Sequence, residues 1–172
     1  KERPKLLVGS PPCTDFSVLL NLSKSSAEIE ARKDERGRVH LRYACSQYLK
    51  QMERGDHFLH EHPASASSWQ EPCVRALIED ARVYIVKGPM CRWEMKAVGL
   101  DGKVGYVKKQ SQWMTTSLEL AKVLEGKCDG MHRHVHLIGG RAAAAAIYPP
   151  KLVSAILGAI KRQIKLDGDS LG

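Results

Sequence analysis

Hydrophobic and polar positions along the chain change period several times, and each change predicts an element. Lys5-Leu6-Leu7-Val8 is a short apolar run broken at Gly9-Ser10-Pro11-Pro12, the pattern of a buried strand. Asn21 to Arg38 is a polar stretch rich in Lys, Glu, Arg and Ser, compatible with either an exposed helix or a mobile loop. Leu41, Cys45, Tyr48 and Met52 then recur at i, i+4, i+7 and i+11, one face of a helix that stops near Gly55. His57-Phe58-Leu59-His60 predicts a second strand, ending at Glu61-His62-Pro63. Trp69 to Asp80 reads as a helix with Val74, Leu77 and Ile78 inward and Ser67 or Ser68 as its cap. Val83-Tyr84-Ile85-Val86 is a third buried strand.

Strand, helix, strand, helix, strand predicts an α/β layer on a parallel sheet. Downstream, Gly99 to Gly105 is rich in turn residues, and Thr116-Ser117-Leu118-Glu119 is a capping box for a helix ending at Gly126. Val135 to Ile138 has the composition of a final strand. A last helix starts at Pro149-Pro150 and carries Leu152, Val153, Ile156, Ile160 and Ile164 on one stripe, before a frayed tail from Asp167 to Gly172. The expected organisation is one domain: an α/β core over 5–90, a small variable region over 91–140, a closing helix over 141–166 and the tail over 167–172.

Composition narrows the class. The 172 residues are 43% hydrophobic and 27% charged, which excludes a disordered chain. Apolar stretches such as Ala142–Ile147 fall far short of the roughly 20 residues a membrane helix needs. Lys1-Glu2-Arg3-Pro4 carries neither an initiating methionine nor an apolar leader, so the chain reads as a segment of a longer protein. Lys and Arg exceed Asp and Glu by 27 to 19, a net charge of +8 that suits nucleic acid as a polyanionic partner and gives no sign of a membrane. Five widely spaced cysteines (Cys13, Cys45, Cys73, Cys91, Cys128) are odd in number and do not look like a disulfide framework. They point to a reducing, intracellular compartment with thiols left for chemistry or metal.

The most informative stretch is Gly9-Ser10-Pro11-Pro12-Cys13-Thr14-Asp15-Phe16-Ser17, just past the carboxyl end of a strand, where open α/β sheets place ligands. It resembles the catalytic loop of cytosine carbon-5 methyltransferases, Gly-x-Pro-Pro-Cys-Gln-x-Phe-Ser. Cys13 holds the nucleophile's place, and Thr14 replaces the family's glutamine. One helix and one strand later, Phe58 to Pro63 is similar to the family's strand ending in Glu-Asn-Val or Glu-Asn-Pro. Glu61 stands for the glutamate that grips cytosine, and His62 replaces asparagine. Lys108, Lys109, Gln110 and Gln112 lie where the family carries Gly-x-Pro-Gln-x-Arg-x-Arg, without its arginines. Ala145-Ala146-Ile147-Tyr148-Pro149-Pro150 is similar to its closing Gly-Asn-x-Val-Pro-Pro, lacking Gly and Asn. The resemblance runs from about Lys5 to Ile160.

It implies part of an S-adenosylmethionine-dependent, Rossmann-like methyltransferase sheet with flanking helices, its N-terminal cofactor-binding strands missing. The implied activity is methyl transfer to carbon 5 of a cytosine flipped out of DNA (RNA being less favoured), through a cysteine adduct. Cys13 attacks carbon 6 and Glu61 protonates ring nitrogen 3. Pro12, Thr14, Phe16, Ser17, His62, Lys108, Lys109 and Gln110 would then face nucleic acid, and Pro11 and Tyr148 the cofactor. Basic residues of the polar run, among them Arg36 and Arg38, could touch phosphates. An upstream half of the same protein would complete the enzyme, as in domains carried by eukaryotic mobile elements, and a eukaryotic source would make the location nuclear. Thr14, His62 and the absent arginines favour an alternative, a non-catalytic nucleic-acid-binding module derived from that fold. A thiol hydrolase pairing Cys13 with His60 or His62 is a third reading.

Separately, Cys128-x3-His132-x-His134-x-His136 concentrates potential ligands. On a strand the three histidines would share one face, where they could hold zinc with Cys128 and with Cys91 as a further thiolate. The plainer reading is a basic, partly exposed strand.

Overall fold

The computed structural model describes residues 3–12, 27–137 and 147–169; side chains are described from residue 35 in the first helix. Two sheets are formed. The main one takes strands β1 (Leu6–Gly9), β2 (His57–Pro63), β3 (Tyr84–Pro89) and β6 (Gln110–Thr115) in the order β1-β2-β6-β3. The smaller holds β4 (Lys96–Val98), β5 (Val104–Val107) and β7 (His134–Val135) in the order β4-β5-β7. β1 and β2 are parallel, with Leu6 opposite His57 and Gly9 opposite His60. β6 is antiparallel to both β2 and β3.

The α/β class is as expected, and β1, β2 and β3 run the same way. The sheet itself is mixed, because the reversed β6 separates β2 from β3. Gln110 to Trp113, in the segment likened to Gly-x-Pro-Gln-x-Arg-x-Arg, therefore belongs to an inner strand, and Ser111 and Trp113 are fully buried. β6 and the helix after it fall within 91–140, yet they complete the main sheet's layers.

Among the described residues, four helices cover the two faces. α1 (Ala27–Glu53) and α2 (Pro72–Ile78) pack Leu41, Cys45, Tyr48, Met52, Val74 and Leu77 against Phe58 and Met114. α3 (Leu118–Leu124) and α4 (Pro150–Asp169) pack Leu120, Leu124, Leu152, Ile156 and Ile160 against Leu59 and Trp113. Successive residues of one strand thus serve opposite cores, as pleating requires. The polar run is helical from Ala27 onward. α1 ends where Gly55 takes φ +70°, its N–H returning to the Met52 carbonyl. Gly9 lies against the Tyr48 ring so closely that no β-carbon fits there.

Several boundaries differ from expectation. Pro72 holds Glu71 extended (φ −64°, ψ 137°), so the expected helix over 69–80 divides into a 3-10 turn at Ser67–Gln70 and α2. The cap of α3 is Ser117, whose hydroxyl accepts from the Leu120 N–H; Thr116 instead contacts His57 Nδ1 at 3.1 Å. On α4, Ala159 is buried, whereas Val153 and Ile164 are 41% and 38% exposed: Val153 lies off the Leu152–Ile156–Ile160 line, and Ile164 continues that line beyond its buried stretch. Asp167, expected in a frayed tail, is helical and meets His57 Nε2 at 2.8 Å. The expected strand over Val135–Ile138 is reduced to His134–Val135, with Ile138 outside the described residues. No described helix is long and apolar enough to cross a membrane.

Candidate functional site

Cys13, Thr14, Phe16 and Ser17 lie outside the described residues. The chain reaches them from β1 through Ser10, Pro11 and Pro12, at the same edge of the sheet as the carboxyl end of β2. There Glu61 is 3% exposed, a carboxylate that needs partners to be buried. It has three. Ser111 donates to Oε1 at 2.6 Å, Ser10 to Oε2 at 3.2 Å, and Lys109 Nζ stands 3.3 Å from Oε1. β6 places Ser111 opposite Pro63 and so beside this edge. Tyr148, which precedes α4, adjoins the same group. Burial and the Glu61 charge push its phenol up, with Ser10 acting in the other direction.

Residues 61 and 62 point to opposite faces of β2. His62 lies on the α1–α2 side, its Nε2 at 2.8 Å from the Pro11 carbonyl and its Nδ1 at 2.6 Å from Ser68 Oγ. His60, fully buried on that side, takes the Tyr48 hydroxyl at Nδ1 over 3.0 Å. Burial pushes both imidazoles below their ordinary pKa, His60 far below, and the neighbouring His62 further discourages charge on His60. β2 therefore separates the two groups: Glu61 with Lys109 on one face, the histidines on the other.

Of the other expected contacts, Pro12, Lys108 and Gln110 are exposed and Lys109 is half-buried. Arg38 is ion-paired to Glu71 at 3.2 Å. Tyr148 interacts with Ser10, whereas the carbonyl of Pro11 is held by His62. Ser10 and Ser111 were not legible as partners of Glu61, because only the strand pairing brings them there.

A second cluster lies beyond the end of β3. Cys91, on a 3-10 turn at Met90–Trp93, meets Cys128, His132 and His134, and one ligand atom from each lies within 4.8 Å of the others. Such a group can hold a metal ion. His136 is not one of the four: it is exposed and lines the adjoining pocket with Lys108 and Gln110. The expected three-histidine face fails because only His134 is on a strand; His132 follows a bend at Gly130 (φ +74°). Asp129 joins instead, its Oδ1 at 3.3 Å from His132 Nδ1. Its position next to Cys128 was the available signal. Burial and the adjacent Cys128 thiol push the Cys91 thiol up to about 11, a tendency that a cation among the sulfurs would reverse.

Fold and site together define an α/β domain with a buried carboxylate at the carboxyl edge of its main sheet and a separate Cys/His cluster beyond the end of β3. No protein-family model matches the chain, and no curated protein or solved structure matches it.

Proposed function

We propose that this chain is a cytosine-recognising, nucleic-acid-binding domain of the carbon-5 methyltransferase type, with DNA as the preferred polymer. The observation that carries the reading is the buried Glu61 carboxylate at the carboxyl end of β2. That strand lies parallel and adjacent to β1, which leads into Pro11-Pro12 and Cys13. Three of the four motif segments that the resemblance names thus converge: the β1 turn, Glu61, and Lys109 at 3.3 Å from it. The mixed sheet β1-β2-β6-β3, with helices on both faces, is compatible with an α/β fold. In this reading the Cys13 thiolate adds to carbon 6 of a flipped cytosine, while Glu61 bonds at ring nitrogen 3. Ser10, Ser111 and Lys109 hold the carboxylate in place for that contact.

The residues present do not fit S-adenosylmethionine. Pro11 and Tyr148 are the two the resemblance assigns to it, and the described residues include neither a glycine-rich phosphate- or ribose-binding turn nor an acidic ribose ligand. The described residues thus form no site for the methyl donor. Thiolate and imidazole donors suit zinc as the ion of the Cys/His cluster. DNA as partner places the protein inside the cell, and in the nucleus of a eukaryote.

One observation favours the non-catalytic alternative: both Glu61 oxygens already have protein donors. Covalent trapping on DNA containing 5-fluorocytosine, with S-adenosylmethionine, decides between the two. An adduct formed by the chain extended upstream, and lost in Cys13→Ala, supports the methyltransferase reading. Salt-dependent DNA binding without any adduct overturns catalysis in favour of the binding module.

A further inference from the structure

The ligand atoms beyond β3 are spaced as one tetrahedral ion would space them. Cys128 Sγ is 3.4 Å from His132 Nε2 and 3.5 Å from His134 Nε2, and the two Nε2 atoms are 3.0 Å apart. With Zn–S about 2.3 Å and Zn–N about 2.0 Å, tetrahedral ligands stand roughly 3.3–3.8 Å from one another, so both sulfur–nitrogen spacings fit and the nitrogen pair is slightly tighter. The surroundings suit a cation as well. Asp129 lies against Nδ1 of His132, which leaves Nε2 as the ligand atom. The Gly130 N–H points at Cys128 Sγ over 3.3 Å, a donor suited to a thiolate.

The same cluster grips one segment from two sides. Cys91 follows Met90, whose N–H donates to the Lys109 carbonyl at 2.8 Å. His134 precedes Val135, whose carbonyl accepts from the Lys108 N–H at 2.9 Å. A pocket of about 330 Å³ joins Lys108 and Lys109 to Cys91 and Cys128. From that segment the Lys109 ammonium reaches Glu61.

We propose that Cys91, Cys128, His132 and His134 form a closed Zn2+ centre that clamps the Lys108–Gln110 segment and so holds Lys109 against Glu61. Four protein ligands fill the tetrahedron, so the centre is structural and leaves no position for substrate. Binding converts both thiols to thiolates and releases their protons to solvent. Asp129 is a positioning residue. The bearing of the clamp on base recognition rests on the methyltransferase reading; the metal centre and the clamp do not.

The test uses the full chain loaded with Zn2+, stripped by chelator, and reloaded with Co2+. One equivalent of metal is expected, with the visible bands of tetrahedral, thiolate-bound Co2+. His136→Ala keeps those bands and His132→Ala loses them. Asp129→Asn keeps them with affinity about 10-fold weaker. Amide hydrogen exchange then reads the clamp: on stripping, the Met90 and Lys108 amides exchange at least about tenfold faster, while the β2–β6 amides do not change. Failure to retain metal or to show tetrahedral Co2+ overturns the centre. Unchanged exchange at Met90 and Lys108, or protection lost throughout β2–β6, overturns the local clamp. If trapping on 5-fluorocytosine fails while these results hold, the methyltransferase reading falls and the metal clamp stands.

Discussion

His62 Nε2 holds the carbonyl oxygen of Pro11 at 2.8 Å, so the end of β2 grips the turn that leads to Cys13. A carbonyl only accepts, so Nε2 carries the proton and Nδ1 accepts from the Ser68 hydroxyl. The imidazole is therefore a neutral, oriented strut.

Replacing it separates packing from hydrogen bonding. His62→Ala is expected to cost about 1–3 kcal/mol in urea denaturation, because the Pro11 carbonyl and Ser68 hydroxyl lose their partner. His62→Gln, which can donate to the Pro11 carbonyl, should recover part of that loss. Equal losses in the two variants would show that the strut does not depend on this bond.

The Glu61 group makes a second prediction. Glu61→Ala strands the Lys109 ammonium and two hydroxyls, at a cost of about 3 kcal/mol. Lys109→Met removes one donor of three and should cost about 1 kcal/mol. In the double variant the losses should fall short of their sum by at least about 0.5 kcal/mol. Strict additivity in guanidinium titrations would mean that the pair is not coupled.

Acid should weaken the fold through the buried histidines. Burial, and for His60 the neighbouring His62, hold both pKa values below the ordinary value of 6.5. The unfolded chain then binds more protons as pH falls below 6.5. Their contribution is complete above that pH and is lost on acidification, by up to about 1.4 kcal/mol per pH unit for each histidine. His60→Gln, which keeps an acceptor for Tyr48, should flatten the curve between pH 6.5 and 5. An unaltered acid limb would exclude His60 as its source.

The cap of α3 gives a fourth. Ser117 Oγ accepts from the Leu120 N–H at 3.2 Å and donates to Gln163 Oε1 at 3.0 Å, joining α3 to α4. Ser117→Ala should cost about 2 kcal/mol in thermal or chemical unfolding. A loss below a few tenths would transfer the capping role elsewhere.

What the sequence revealed follows from what a local pattern can carry. Leu41, Cys45, Tyr48 and Met52 share one helical face, so spacing alone exposed the core side of α1. β6 was hidden for the opposite reason. Gln110-Ser111-Gln112 looks solvated, but β2 and β3 flank it laterally, and no local period records a lateral neighbour. Glu61 was legible by its order after Cys13, whereas Ser10, Ser111 and Lys109 became its partners only through strand register. At the metal cluster, alternation suggested His132, His134 and His136. The bend at Gly130 breaks that alternation, replacing His136 with a group completed by Cys91 from another element.

The reversed strand also orders the assembly of the chain in time. β3 joins the main sheet through β6, and β6 is made some twenty residues later than β3. β1, α1 and β2 can associate as a unit while β3 still lacks its ladder. A chain emerging from the ribosome therefore passes through a stage in which Ile85 and Val86 are available to other strands. Pausing between residues 90 and 110 would prolong that stage, and slowed translation there should raise the aggregated fraction more than the same pause after residue 115.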